Sequence, residues 1–188
     1  FSLDIGFVRL ERIPRTLEIK TILKEPFCLV LPKDHKIDSN SFKSLTQFKE
    51  ESFILFDSNY SASYYEKVMQ IFDDYGFMPL VSHNTVHSSS IFKLVENNFG
   101  ISIVPKSLAQ KRGYNVKFIE LGMIPQRTSL SIIWSKKNNN PILKDVSKQA
   151  VPDWMDVVVE YDLHDQSPLI KEFQYFTGRS PTYFMMNT

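Results

Sequence analysis

The chain has 188 residues, a formal net charge of +1 and a hydrophobic fraction of 43%. That is the make-up of one packed globular domain or two small lobes, and it excludes a disordered or fibrous chain. A charge so close to neutral gives no general attraction to nucleic acid or acidic lipid, and no apolar run approaches the roughly 20 residues of a membrane span.

Cys28 is the sole cysteine. No internal disulfide can form, and its apolar neighbours Phe27 and Leu29 predict a buried, inert thiol. The first residues lack the basic head and apolar stretch of a signal peptide, so a reducing, cytoplasmic compartment is expected. The missing initiator Met makes a piece of a longer protein the expectation. Residues 151–188 carry two basic residues against six acidic ones, a balance of −4 that leaves +5 for the rest. This break in composition near residue 150 predicts two parts.

In chain order, Leu3–Val8 reads as a short strand with Arg9 at its end, and Leu17–Leu23 alternates as a half-exposed strand should. Glu25-Pro26 marks a boundary before the apolar run Phe27–Leu31, a buried strand. Ser44–Glu50 predicts a short helix and Phe53–Phe56 a compact strand. The turn residues Asp57–Tyr60 lead into a helix over about Ser61–Tyr75, with Val68, Ile71, Phe72 and Tyr75 on one face and Gly76 as its stop. Pro79–Ser82 follows as a strand.

The segment Thr85–Pro105 has the densest pattern. Ile91, Leu94, Val95 and Phe99 share a helical face, Ser88, Ser89 and Ser90 offer hydroxyls to the orphan N–H groups of the first turn, and Gly100 supplies the left-handed residue at the end. Ile101–Val104 then reads as a buried strand stopped by Pro105. A short helix over Ser107–Arg112, strands at Val116–Leu121 and Leu130–Trp134, and a helix opened by Pro141 complete the pass.

Strands alternating with helices predict an α/β architecture with a largely parallel sheet. Ligands of such sheets sit beyond the carboxyl ends of strands, where helix N-termini converge. Two places have that form: Phe56 into Asp57–Ser61, and Ser82 into Thr85–Ser90. Both are candidates for one cleft.

Catalytic and metal patterns do not emerge. His83 and His87 lie four apart without the glutamate that a zinc hydrolase needs, and no nucleophile elbow, phosphate loop or dinucleotide glycine pattern occurs. Asp73-Asp74 and Glu50-Glu51 read as solvated helix edges. No enzyme, cofactor or metal is expected.

In ordered blocks the chain resembles the effector-binding domain of LysR-type transcriptional regulators. The blocks are LDIGFVR (3–9), EPFCLVLPKDHKI (25–37), SLTQFKEESFILF (44–56), YGFMP (75–79), FKLVENNFGISIVPKSLA (92–109) and SLSIIWSKKNNNPILKDV (129–146). The resemblance covers about residues 1–148. It implies a two-lobed, type 2 periplasmic-binding-protein-like α/β domain over 1–149, with one lobe at about 26–122 and an incomplete lobe from 1–25 and 127–149. It also implies a strand-helix-strand-helix segment ahead of Leu3 and, before that, a winged helix-turn-helix. The ligand would be a small organic or aromatic acid, faced by Arg9, by Ser58, Asn59 and Tyr60, and by Val86, His87 and Ser88. Donors and helix N-termini suit a carboxylate, Arg9 suits a two-pronged contact, and Tyr60 suits stacking on an apolar body. Homo-oligomerisation and DNA binding through the missing domain are implied by the same resemblance.

The tail tells a second story. YDLHDQSPLIKEFQYFTGRSPTYF (161–184) resembles the second helix-turn-helix of AraC-type regulators, which makes 150–188 a small all-α tail. By that resemblance Gln166, Ser167, Lys171 and Gln174 would face DNA. Asp162 replaces the turn glycine, however, and the −4 balance opposes phosphate contact. The competing functions are therefore DNA binding through the tail, a solute-binding protein of the same fold, and a fusion of two unrelated gene pieces.

Overall fold

Apolar blocks separated by turn residues become strands throughout the residues that the computed structural model describes, 6–9, 14–110 and 113–138. The start of the first expected strand, the helix expected from Pro141 and the entire 150–188 tail, with Gln166, Ser167, Lys171 and Gln174, lie outside the described residues. The chain divides into two compact units, Phe1–Lys24 with Ser129–Thr188, and Glu25–Thr128.

In the first unit, β1 (Gly6–Val8), β2 (Leu17–Glu25) and β8 (Thr128–Ser135) form a sheet in the order β1-β8-β2. The first pair is antiparallel, with Gly6 opposite Ile133 and Val8 opposite Ser131. The Thr21 and Ser131 hydroxyls meet at 3.2 Å.

The second unit holds the remaining elements. They are β3 (Phe27–Pro32), β4 (Ser52–Phe56), α1 (Ala62–Asp74), β5 (Leu80–Thr85), α2 (Ser88–Glu96), β6 (Ser102–Pro105) and β7 (Val116–Glu120), with 3-10 turns at Leu45–Phe48 and Lys106–Gln110. Ser44 and Gln47 cap the first of these turns reciprocally. The expected helix over Ser44–Glu50 is thus a single tight turn. Glu25 is buried where the second turn begins, and its carboxylate accepts from the Ser107 N–H at 2.6 Å and hydroxyl at 2.9 Å.

Side chains of β3 alternate between two cores, as successive strand residues must. Phe27, Leu29 and Leu31 join Phe53, Leu55, Ile101 and Ile103 against Tyr64, Val68, Ile71 and Phe72 of α1. Val30 joins Ile54 and Val104 against Ile91, Phe92 and Val95 of α2. One helix therefore covers each face, which is why every residue of β3 is buried. Tyr64 brings its hydroxyl into the first core and donates it to the Ile103 carbonyl, so the burial leaves no unmet donor.

The expected largely parallel sheet is only partly observed. β4 and β5 are parallel, and a parallel bridge from Phe53 to Ile101 leads on to β6. β3, by contrast, runs antiparallel to both β6 and β7. A continuous apolar run reports burial on two faces and carries no information about strand direction.

Both helices end in paired 6→1 and 5→2 backbone bonds that satisfy otherwise orphaned carbonyls. For α1, Phe77 N–H reaches Phe72 at 3.2 Å and Gly76 N–H reaches Asp73 at 2.9 Å, with Gly76 at φ 72°. The Phe72 and Phe77 rings close the motif edge to face at 5.3 Å. For α2, Phe99 N–H reaches Leu94 at 3.0 Å and Asn98 N–H reaches Val95 at 2.9 Å. The left-handed residue there is Asn98 at φ 61°, not Gly100; a short polar side chain tolerates that conformation. The helix stops at Glu96, so Phe99 lies beyond it and is 55% exposed, while Phe92 takes the expected place in the core.

Gly100 serves a different constraint. A Cβ there would stand 2.5 Å from the Ser52 carbonyl oxygen, the same oxygen that accepts the Ile101 N–H at 2.8 Å. No flexible side chain can yield, because the obstacle is backbone. Gly100→Ala is expected to destabilise the chain by about 2–4 kcal/mol, through overpacking against a fixed strand. Denaturant unfolding checks this, and a loss below about 0.5 kcal/mol would contradict the close approach.

Candidate functional site

Phe56 and Thr85 stand side by side at the carboxyl ends of β4 and β5. The level ending depends on an irregularity: Phe53 pairs with Val81 but Ile54 with His83, so Ser82 is an extra residue on β5. Its hydroxyl donates to the Phe53 carbonyl at 3.3 Å. Without that bulge the register would bring Asn84, not Thr85, opposite Phe56.

Beyond this edge both chains turn into helices. After β4, Asp57 N–H donates to the Thr85 carbonyl at 3.0 Å, extending the ladder by one bond. The Asp57 carboxylate accepts the Asn59 N–H at 2.8 Å, and its carbonyl accepts from Tyr60 at 3.1 Å and Ser61 at 2.9 Å. After β5, the Thr85 hydroxyl accepts the His87 N–H at 3.1 Å and donates to the His87 carbonyl at 3.2 Å. Both loops are thus tied to Thr85 at the end of β5.

Ser61 caps α1 and His87 caps α2, and neither side chain makes a capping hydrogen bond. The serine hydroxyls expected to cap α2 do not fill that position: Ser88 is already the first helical residue and is fully buried. The reason is that His87, in extended backbone at φ −119° and ψ 132°, occupies the cap. Two helix starts without side-chain caps meet at one sheet edge. Such an edge presents backbone N–H groups and the positive ends of two helices.

Ser58, Asn59 and Tyr60 are therefore brought together with Val86, His87 and Ser88. Ser58, Asn59 and Val86 are exposed, while Tyr60 and His87 are half-buried. Arg9 follows β1 in the first unit and is buried. Asp57, Ser82 and Thr85, which organise the edge, escaped selection as site residues. An Asp two residues before an Asn is a legible turn signal, whereas a bulge depends on a pairing partner that local sequence does not name.

Among the described residues no group of three His, Cys, Asp or Glu side chains is placed to hold a metal ion. The His83 ring is exposed, bonded to the Ser82 hydroxyl at 3.1 Å and edge-on to Phe99 at 6.0 Å. No described helix is long and apolar enough to cross a membrane.

Cys28 is buried on β3. Burial, followed by the negative charge of Glu120, pushes its thiol from 9.0 up to about 12, against a smaller opposing effect of Lys106. The folded chain therefore keeps a proton that the unfolded chain releases. That contribution to stability is complete below about pH 9 and is lost as the pH rises toward 12. Wild-type stability is expected to fall more steeply over this interval than that of Cys28→Ala, as read from denaturant midpoints. Parallel pH profiles for the two proteins would contradict the assignment.

Comparison with known proteins gives a consistent family. The LysR substrate binding domain model matches residues 1–152. An uncharacterized HTH-type transcriptional regulator of Bacillus subtilis (strain 168), YwbI, is 31% identical over 140 residues, 72% of this chain and 44% of YwbI. The HTH-type transcriptional regulator CatR of Pseudomonas putida is 29% identical over 119 residues, 63% of this chain and 41% of CatR. The chain thus spans less than half the length of these relatives. Among solved structures, the LysR family regulator CbnR superposes with a TM-score of 0.67 at 22% identity, covering 78% of this chain and 50% of CbnR. The BenM effector binding domain with its effector benzoate gives 0.63 at 20% identity, covering 81% and 74%. The effector binding domain of QuiR in complex with shikimate gives 0.61 at 19% identity, covering 77% and 68%. The fold is that of these type 2 periplasmic-binding-like domains.

Proposed function

The chain belongs to the LysR substrate-binding domain family, and from that premise we propose that it is the ligand-sensing part of a transcriptional regulator. The observation that carries the proposal is the convergence, at the carboxyl edge of β4 and β5, of two helix starts whose cap side chains make no capping hydrogen bond. The effector is a small organic or aromatic acid. Its carboxylate takes backbone N–H groups of the two helix starts and the hydroxyl or amide donors of Ser58 and Asn59. Tyr60 and Val86 offer apolar surface to its body, and His87 a further ring. Ser88, being buried, acts through its backbone. Arg9 belongs to the other unit, and its part in effector binding rests on family resemblance.

Benzoate and shikimate, which BenM and QuiR hold in their structures, are both acids of this class. The sensing domain takes residues 1–149 and the tail 150–188 is a separate piece. The chain performs no catalysis and works in the cytoplasm as part of a homo-oligomer. DNA contact comes from a domain that precedes it. Sensing operates by population shift: a ligand that prefers one arrangement of the protein raises that arrangement's share, by no more than its differential affinity.

Thermal unfolding in the presence of benzoate, shikimate and dicarboxylates such as succinate tests the reading. A ligand at about 100 times its dissociation constant stabilises by about 2.7 kcal/mol, a rise in Tm of about 5–10 °C for a chain of this size. Absence of any rise with millimolar acids of this class would count against a sensor.

A further inference from the structure

The segment 122–127 joins β7 to β8, and at its end the chain passes from the second unit back to the first. Its backbone does little to hold it: the Ile124 N–H reaches the Leu121 carbonyl at 3.3 Å, and Pro125 has no N–H to give. Side chains hold it instead. The Arg127 guanidinium folds back on the carbonyls of Gly122 at 2.9 Å, Gln126 at 2.8 Å and Ile124. From outside, α1 adds two grips: Lys67 donates to the Arg127 carbonyl, and the Asp74 carboxylate accepts from the Gln126 amide.

Lys67 and Asp74 stand seven residues apart, two turns along one face of α1. Tyr64, Val68, Ile71 and Phe72 of the same helix are buried in the first core, so α1 is packed to move as one body. Its first turn lies at the candidate site and its later turns on the returning chain. α2 starts at the same edge but grips the other end of β7: Glu96 accepts the Asn115 N–H at 3.1 Å and pairs with Lys93 at 2.8 Å. Of the two helices, α1 is the one that bonds to the segment leading into β8.

We propose that Lys67 and Arg127 form a clasp through which the position of α1 sets that of the returning segment and of the start of β8. An anion that draws on the N–H groups of the first turn shifts the helix, since packed helices move as units by about 1–2 Å. Lys67 then carries the Arg127 carbonyl with it, and the guanidinium carries the rest of the segment. Lys67 is thus a positioning residue that touches no ligand. The trigger rests on the effector reading of the β4 and β5 edge; the clasp itself does not.

Amide hydrogen exchange of the whole chain without ligand tests the clasp. Lys67→Met keeps the apolar stem and removes the donor, and it is expected to speed exchange of the amides of residues 122–129 about tenfold. The amides of Phe53–Phe56 keep their rates, Lys67→Arg restores most of the lost protection, and Lys93→Met leaves residues 122–129 as in wild type. No local change in Lys67→Met, a loss that Lys67→Arg does not restore, the same loss in Lys93→Met, or a rise spread evenly over the chain would overturn the clasp.

Amide shifts during titration with benzoate, shikimate and succinate test the transmission. In wild type, shifts in the first turn of α1 are expected to be followed by smaller ones in residues 127–131. In Lys67→Met the first set persists at unchanged affinity and the second shrinks about fivefold or more. Undiminished shifts in residues 127–131 of Lys67→Met would overturn Lys67 as the route. Wild-type shifts confined to the first turn of α1 would overturn the transmission and leave the effector reading standing. No response of any amide to these acids would overturn the transmission and count against the effector reading, with the clasp still decided by exchange.

Discussion

The parallel pairing of β4 with β5 is the constraint on which the candidate site depends. Parallel strands cannot be joined by a tight turn, so each must leave the sheet through a helix, and both exits fall at the same edge. Asp57 and Val86 are the first residues past that edge, and the one hydrogen bond from Asp57 to Thr85 keeps the two exits in step. The bulge at Ser82 sets the level at which they emerge. The candidate site is therefore defined by backbone geometry more than by any one side chain: two helices start beside each other, and neither cap side chain bonds to its own first turn.

That edge is held in place from behind. β4 is flanked by Ile101 on the side away from β5, through the Ile54 N–H to the Ile101 carbonyl and the Ile101 N–H to the Ser52 carbonyl, each 2.8 Å. The Ser102 hydroxyl adds a buried bond to the Ile54 carbonyl at 2.6 Å. Gly100 permits this approach because it has no Cβ. The two cores that meet across β3 and β4 then fix one helix on each face, so that α1 and α2 are each anchored by three or four fully buried side chains. Buried anchoring of this kind fixes where the two helices start, and with them the short polar loops of the candidate site.

Much of this was legible in the sequence. The apolar blocks of β3 and β4 and the stripe of α1 report burial directly, because a folded chain must hide them wherever its strands run. The family resemblance, carried by blocks spread from Leu3 to Val146, gave the fold. Direction was not legible: β3 has the same composition whether its neighbours run with it or against it. The end of α2 was misplaced because Asn98 and Gly100 are both acceptable left-handed residues, and only the contact with Ser52 separates their duties. The cap of α2 was misread for a similar reason: a hydroxyl can cap only from the residue just outside the helix, and His87 stands there. Asp57 reads as a turn former in the sequence, and in the structure its carboxylate accepts the Asn59 N–H.

The central claim is that an acid effector is held at the carboxyl edge of β4 and β5. Amide NMR shifts of the 15N-labelled chain, followed while lactate, malate or shikimate is titrated in, test it most directly. The account predicts saturable shifts concentrated on the amides of Ser58, Asn59, Tyr60, Val86, His87 and Ser88 and the first turns of α1 and α2. Saturable shifts that spare these amides and gather elsewhere, for example along β7, would contradict it.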